Sequence, residues 1–490
     1  MSNPVAMMEA GFSKSLRTAC SSLAGFATNK VRIEPQGQSS GARAGTKISF
    51  SMPSNSLINL RSATLVCPKI STTSDVSCVA MLPRMSDLIE SCSIFLNGVS
   101  LTMNSSQYNT IASVVDKVDS NLAQQRSTGC LENEYPPAPD AIYDAANPSP
   151  FVDGKGVAMA LCLNNIKGIF SSSSVRYLDL STAGDLRVEF LLAPDWNLWF
   201  MPNANDAAAT DVLGAAAVPA TKTYTLNEFH MTCEVISIAG GLYSELMRAK
   251  IMEQEFIQVN YTDYVSLESN TAPGSTSTTT RFGCSTQSLN CVYSTMRKSS
   301  YSTPPVAGEV GTNIVATLNS GSVEEVDIVP KSKYCQAFSG NLVNSTFNFP
   351  GVGAPVWVSD QNPIGDLRHS VRINGVQYPQ VPSNLLECQL NTNLHQLRQK
   401  HNTPGNGIHS QNTFYNGQFV CVTKLSQDPD YCDDDMQCAR ISGINSRNIN
   451  TDLTAQFTGL NNTDDKSVFV IAEFTSSVRI GSSKSVVRIP

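Results

Sequence analysis

The sequence predicts an all-β protein built from two tandem copies of one antiparallel β-sandwich, with a few short helices and long loops. Three observations lead to this fold class. A set of sequence landmarks is repeated, apolar residues alternate with polar ones in the strongest segments, and clusters of Gly, Pro, Ser and Asn separate those segments. Alternation with a period of two places one face of a strand on a core and the other face outside, as in antiparallel sandwiches.

Four landmarks of the first half return in the same order in the second half. Residues 94–99 (IFLNGV) match residues 371–376 (VRINGV) at an offset of 277. Three more pairs keep the order: residues 50–57 with 282–289 at an offset of 232, 186–190 with 453–457 at 267, and the β-rich stretch 224–238 with 466–480 at about 240. Preserved order with a drifting offset indicates a duplicated domain whose loops grew unequally. The drift places the insertions at 202–222 and 299–350.

In chain order we predict an N-terminal arm (1–40), a first sandwich (41–240), a linker helix (241–255) and a second sandwich (256–490). Alternation predicts strands at 47–52, 186–192 and 468–480. Helices are expected after each Asn-Gly-Val segment and at 242–253, where Gly240-Gly241 precedes the helix. The first two helices show apolar residues at the spacing of one helix face: Ile111, Val114, Val115, Val118 and Leu122 in the first, and Leu386, Leu390, Leu394 and Leu397 in the second.

Composition argues for extensive contacts with partners and against nucleic-acid coating. Charged residues make up 15% of the chain, well below the roughly 25% of an ordinary soluble domain. Interfaces replace the solvated surface that charges normally occupy, so we expect oligomers or a lattice. A net charge of −7 is unfavourable for binding along the phosphate backbone of a nucleic acid, although the N-terminal arm is mildly basic.

Targeting signals and disulfides are not expected. The first residues lack the layout of a secretory signal, and no window approaches the roughly 20 apolar residues of a membrane span. We therefore expect a soluble chain made in the cytosol. Several of the 14 cysteines, such as Cys92, Cys233 and Cys421, alternate with apolar residues in predicted strands and are expected to be reduced core thiols.

No residue is assigned a catalytic, cofactor-binding or metal-ligating role, and no enzyme activity is expected. The histidines meet no zinc-binding spacing and are expected to be solvated or at interfaces: His230, His369, His395, His401 and His409. Cys388 and His395 are expected to lie on nearly opposite sides of a helix and form no dyad. The acidic stretch 428–435 is expected to be a solvated turn, with a cation site as the alternative. Residues 351–354 are expected to form a turn and not a phosphate-binding loop.

Three segments resemble one protein family when taken in order. They are residues 48–62 (ISFSMPSNSLINLRS), residues 82–99 with LPR, LIE and FLNGV, and residues 372–379 (RINGVQYP). Together they resemble the double jelly-roll major capsid proteins of polinton-like viruses and virophages, a lineage that includes large eukaryotic DNA viruses. The resemblance covers residues 40–490; the first 40 residues and the two insertions match nothing in it.

The resemblance implies two eight-stranded jelly rolls per chain and a homotrimer whose six jelly rolls form a pseudo-hexameric capsomer. Such capsomers tile the icosahedral virion shell around a double-stranded DNA genome. The implied partners are neighbouring capsomers, penton proteins and minor capsid proteins, with no sequence-specific nucleic-acid binding. The arm would make weak contacts with the capsid interior, and each Asn-Gly-Val segment would lead into a helix packed beside its own jelly roll.

Two other functions fit a β-sandwich of this kind. A carbohydrate-binding or host-attachment protein could use Trp196 and Trp199 as a stacking platform for sugars. A carbohydrate-active enzyme would need two carboxylates about 5–10 Å apart across a cleft.

Overall fold

The computed structural model describes most of the two predicted sandwiches and leaves out the N-terminal segment and several long connections. The described residues are 27–37, 40–74, 78–81, 85–102, 106–119, 131, 157–162, 168–194, 199–202, 222–237, 242–298, 347–348, 367–399, 416–417, 419–426, 441–447, 452–460 and 466–490. The insertions at 202–222 and 299–350 therefore lie almost entirely outside the described residues.

Strands dominate both halves, as predicted. The first half contains β1 (Ala27–Ile33), β2 (Lys47–Ser51), β3 (Leu57–Ser74), β4 (Cys78–Met81), β5 (Ile89–Leu96), β6 (Val99–Ser100), β7 (Val157–Cys162), β8 (Tyr177–Asp179), β9 (Leu186–Leu192), β10 (Trp199–Pro202), β11 (Lys222–Asn227) and β12 (His230–Ser237). The second half contains β13 (Phe256–Thr271), β14 (Ser277–Gly283), β15 (Leu289–Lys298), β16 (Phe347–Asn348), β17 (Arg368–Ile373), β18 (Val376–Asn384), β19 (Asn416–Gly417), β20 (Cys421–Lys424), β21 (Asp452–Thr458), β22 (Lys466–Gly481) and β23 (Val486–Ile489).

The helices in the described part of the chain are short, and the three longest fall where the sequence predicts them, while the two four-residue helices were not predicted. They are α1 (Tyr108–Asp119), α2 (Ile169–Ser172), α3 (Leu180–Ala183), α4 (Leu242–Gln254) and α5 (Leu385–Gln399), with 3-10 turns at Met85–Leu88 and Ser482–Lys484. Helices α1 and α5 confirm the two predictions made from the Asn-Gly-Val segments. Helix α4 confirms the helix predicted at 242–253, while the domain boundaries themselves stay predictions. No helix in the described part of the chain is both long and apolar enough to span a membrane.

Each half contains a four-stranded antiparallel sheet of the same order. The first-half sheet runs β2-β9-β5-β6 and the second-half sheet runs β14-β21-β17-β18. The repeated landmarks occupy equivalent places: Phe50 pairs with Val188 in the first sheet, and Phe282 pairs with Leu453 in the second. The predicted duplication is therefore confirmed in the strand pairing.

The second sheet of each half is built on a long strand. In the first half the order is β1-β12-β3-β11, with β7 and β8 also paired to β3. In the second half the order is β13-β22-β15-β20, with β23 paired to β22. Strand β1 lies within the segment that we assigned to the N-terminal arm, and its residues 27–33 pair with β12 of the first sandwich.

Two apolar cores fill the sandwiches, and the first extends into the second half. The ends of β13 and β22 contribute Val259, Tyr261 and Val478 to the first core. The Tyr261 hydroxyl donates a hydrogen bond to the carbonyl oxygen of Leu101 at 2.7 Å. The two halves thus share buried contacts along these strands.

Helix α1 does not pack only beside its own jelly roll, which corrects one expectation. Its apolar stripe, including Val114 and Val115, forms a separate cluster with Tyr264, Tyr293 and Ile471 of the second half. The stripe was predicted correctly as a buried face. The sheet against which the stripe packs was predicted wrongly, because the periodicity of a helix indicates which face is buried and not which sheet covers that face.

Candidate assembly surface and buried polar groups

The repeated Asn-Gly pairs form matching hairpin turns. Asn97 and Gly98 have φ angles of 47° and 81°, and Asn374 and Gly375 have 52° and 82°. Two consecutive residues with positive φ are typical of type I′ hairpin turns, which Asn-Gly favours. The backbone amide of Asn97 donates to the carbonyl oxygen of Asp185 at 2.7 Å, and that of Asn374 donates to Asp452 at 3.1 Å. Their predicted role as turn formers is confirmed.

Exposed apolar side chains are concentrated on β18 and the start of α5, which we call the β18–α5 surface. Its members are Val376, Val381, Leu386 and Leu390, with exposed fractions of 56%, 71%, 60% and 53%. We expected the leucine stripe of α5 to face the core, and for Leu386 and Leu390 this was wrong. The buried face of the helix carries Cys388, Gln389, Thr392 and His395, among others.

A capping box explains why α5 begins where it does. The amide of Glu387 donates to Asn384 Oδ1 at 2.9 Å, and Glu387 Oε2 accepts from the amide of Asn384 at 2.8 Å. This reciprocal pair satisfies two backbone donors that a helix start would otherwise leave free. Thr392 then anchors the buried face, because its hydroxyl donates to the carbonyl oxygen of Val420 at 2.7 Å. These bonds hold Leu386 and Leu390 outward.

A buried polar group lies beneath α5. The Tyr293 hydroxyl donates to Glu473 Oε2 at 2.7 Å and lies 3.4 Å from His395 Nε2. The tyrosine and histidine rings meet edge to face, with centroids 5.9 Å apart. All three residues are buried, so the group joins β15, β22 and α5 within the fold and offers no open cleft for a substrate.

A second buried polar group is an ion pair on the other face of the same sheet. Arg488 Nη2 lies 2.5 Å from Asp263 Oδ2, and both side chains are largely buried. In the register of β13 and β22, Asp263 lies opposite Phe474 and Glu473 lies opposite Tyr264. Because successive side chains point to opposite faces of a sheet, Asp263 and Glu473 do not converge on one cleft. This pair cannot act as the two carboxylates of a glycosidase.

Two of the histidines, His369 and His395, and Cys388 differ from expectation. His369 and His395 are buried at 2% and 3% exposure and are neither solvated nor at a free surface. Cys388 and His395 lie on the same buried face of α5, because seven residues make almost two full helical turns. Placing them on opposite sides was therefore wrong. They still form no dyad, since His395 contacts Tyr293 and Cys388 lies near Cys421.

The predicted core thiols are buried and unbridged. Cys92, Cys233 and Cys421 are free cysteines inside the two sandwiches. Burial raises the pKa of the Cys92 thiol to about 12, and burial with the nearby charge of Glu234 raises that of Cys233 to about 11. These thiols stay protonated at neutral pH and are poor nucleophiles.

Several sequence features fall outside the described residues. They are Trp196, His401, His409, the turn at 351–354 and the acidic stretch at 428–435. The backbone of Trp199 lies in β10, opposite Met81 of β4. The sugar platform and the cation site therefore stay predictions.

Comparison with solved structures places this fold among viral capsid proteins. A quasi-atomic model of the PBCV-1 virus capsid is similar with a TM-score of 0.54 and 10% identity, covering 94% of this chain and 96% of that chain. The crystal structure of PBCV-1 VP54, fitted into a reconstruction of the virophage Sputnik, is similar with a TM-score of 0.53 and 12% identity, covering 94% of this chain and 96% of that chain. The Faustovirus major capsid protein is similar with a TM-score of 0.50 and 8% identity, covering 94% of this chain and 91% of that chain.

These likenesses establish the fold, and the double jelly-roll prediction is confirmed. No protein-family model and no curated protein matches the sequence. At identities of 8–12%, few side chains are shared with these capsid proteins. What the chain does is therefore argued from its own surface and core.

Proposed function

We propose that this chain is the major capsid protein of an icosahedral virus with a double-stranded DNA genome. The observation that carries the proposal is the double jelly roll itself, which extends over 94% of the chain in its likeness to capsid structures. The low charged fraction of 15% supports it, because a shell subunit covers much of its surface with neighbours.

The duplication explains the form of the proposed capsomer. Three copies of a chain with two equivalent sandwiches present six similar sides, which a hexagonal lattice requires. The matching sheets β2-β9-β5-β6 and β14-β21-β17-β18 supply that equivalence. Closed three-fold symmetry then repeats one heterologous contact three times. The capsomers would contact one another, penton proteins and minor capsid proteins in the virion shell.

The β18–α5 surface is the proposed contact between chains of the trimer. Side chains such as Val381 and Leu386 are more than half exposed in the single chain, although they are apolar. Exposed apolar side chains along one stretch of the chain, from β18 into α5, favour an interaction surface there. A second copy of the chain is the occupant we propose, because a capsid subunit meets identical copies first.

Solution mass and particle shape test this function. The purified chain should run near three times 52.7 kDa in light scattering, and negative-stain images should show three-fold particles with a pseudo-hexagonal outline. A stable monomer at micromolar concentration would count heavily against the proposal. Clear binding of a monomeric chain to a glycan array would instead favour the carbohydrate-binding alternative.

A further inference from the structure

Three potential metal ligands meet inside the second jelly roll. They are His369, Cys388 and Cys421, whose nitrogen and sulfur ligand atoms all lie within 4.8 Å of one another. Their exposed fractions are 2%, 2% and 1%, so the cluster is closed to bulk solvent. These residue types are the ligands that zinc prefers in proteins.

The cluster is assembled by three separate elements. His369 lies on β17, where it pairs with Ser383 of β18 and Phe457 of β21. Cys388 lies on the buried face of α5, and Cys421 lies on β20 of the other sheet, opposite Ser294. The site therefore joins one helix to both sheets of the sandwich. Since 52 residues separate His369 from Cys421, no local spacing reveals it.

The histidine has an unmet polar atom that points to a ligand. His369 Nε2 is buried and has no hydrogen-bond partner among the described residues. Its ring packs against Phe457 with centroids 4.7 Å apart. A buried polar atom without a partner costs about 1–3 kcal/mol, so such atoms are rare in folded proteins. A bound cation would accept the nitrogen lone pair and remove that cost.

The neighbouring thiols of Cys388 and Cys421 could bind the same cation as the histidine nitrogen. The Cys388 thiol donates a long hydrogen bond, 3.9 Å, to the carbonyl oxygen of Ser383. The Cys388 sulfur lies beside both the Cys421 sulfur and a ring nitrogen of His369, with all ligand atoms within 4.8 Å of one another. Two sulfurs and an imidazole nitrogen in an apolar pocket form the ligand set that zinc and other soft cations prefer.

We propose that His369, Cys388 and Cys421 bind Zn²⁺ as a structural site of the second jelly roll. Zinc bonds of about 2.3 Å to sulfur and about 2.0–2.1 Å to nitrogen require ligand atoms roughly 3.5–3.8 Å apart in a tetrahedron. The ligand atoms already lie within 4.8 Å of one another, so they need to move only about 1 Å closer together to bind zinc. Binding would release the thiol protons, and the three residues would supply three of the four zinc ligands.

The test compares metal binding by variants of the full-length chain. Protein stripped with chelator under reducing conditions is titrated with Co²⁺, whose thiolate complexes absorb in the visible, and then with Zn²⁺. The wild-type chain should bind one equivalent more than Cys388→Ser or His369→Gln, or bind it at least about 100-fold more tightly. The control is Cys284→Ser, which alters another buried cysteine of the same core and should bind like the wild type.

Thermal unfolding and X-ray absorption make the test independent of variant folding. Zn²⁺ should raise the Tm of the wild type and of Cys284→Ser, but not of Cys388→Ser. The absorption spectrum of the wild-type zinc complex should show two sulfur ligands and at least one nitrogen ligand. Equal metal binding in all variants would overturn the proposal.

Discussion

Replacing Leu386 and Leu390 together by glutamate should abolish the trimer and leave the fold of each chain intact. Both side chains lie on the β18–α5 surface, with exposed fractions of 60% and 53%. Because they already contact water in the single chain, charged replacements should change its free energy of unfolding by no more than about 0.5 kcal/mol. In the proposed trimer the same residues are buried against a second copy.

The expected loss follows from the exposed area. Full burial of a leucine side chain contributes about 1.5–3 kcal/mol, and the exposed parts of the two leucines amount to about one such side chain. A three-fold trimer repeats the contact three times, so its formation should lose about 4.5–9 kcal/mol. The association constant should fall by at least about 10³. Desolvation of the two carboxylates adds to this loss.

Sedimentation over a range of micromolar concentrations measures the effect, with urea unfolding as the check on the fold. Met252→Glu is the matched control, because Met252 is 86% exposed on α4 and lies outside the β18–α5 surface. This control should assemble like the wild type. A double variant that remains as strongly trimeric as the control would refute the assignment of this surface.

Three further predictions concern stability. Arg488→Met should lower the free energy of unfolding by about 3–5 kcal/mol, because it leaves Asp263 buried without its cation. Gly375→Ala should cost about 1–2 kcal/mol from backbone strain alone, because the glycine has a φ of 82° and no atom lies within 4 Å of an added Cβ. Raising the pH from 9 to 11 should destabilise the chain, because the unfolded Cys92 thiol ionises near 9.0 while the folded one holds its proton to about 12. That thiol contributes full stability below pH 9 and loses up to about 1.4 kcal/mol per pH unit above it.

Urea unfolding with matched controls measures all three effects. Arg281→Met breaks an ion pair whose arginine is 72% exposed and should cost less than about 1 kcal/mol, so an equal loss in both arginine variants would contradict the first prediction. Gly98→Ala should cost as much as Gly375→Ala, since its φ is 81° and its surroundings are equally open. Cys92→Ser should reduce the pH dependence above pH 9, and an unchanged slope would show that burial does not govern this thiol.

Local patterns predicted the elements well, and the reason is local geometry. Asn-Gly is one of the few dipeptides that accept positive φ at both positions, so Asn97-Gly98 and Asn374-Gly375 indicated hairpin turns without further context. Alternation likewise predicted β2 and β9. Glycines before α4 and the spacing of valines in α1 indicated both helices.

The buried face of α5 was predicted wrongly because two stripes compete on that helix. Leucines at positions 386 and 390 suggested a core face, whereas Cys388, Thr392 and His395 are the residues buried there. Two signals in the sequence could have corrected this. Asn384 and Glu387 have the spacing of a capping box, and the interval of seven between Cys388 and His395 places them on one face.

Short stretches of sequence predicted the order of the strands, the turns and the duplication. Each of these features depends on the backbone preferences of a few neighbouring residues. Contacts between distant residues were decided only by the packing of whole sheets. Tertiary structure brought His369 of one sheet, Cys388 of a helix and Cys421 of the other sheet within 4.8 Å, and set α1 against the second half. It also left Leu386 outside, because the sandwich covered the polar face of α5 and hydrogen-bonded Thr392 there.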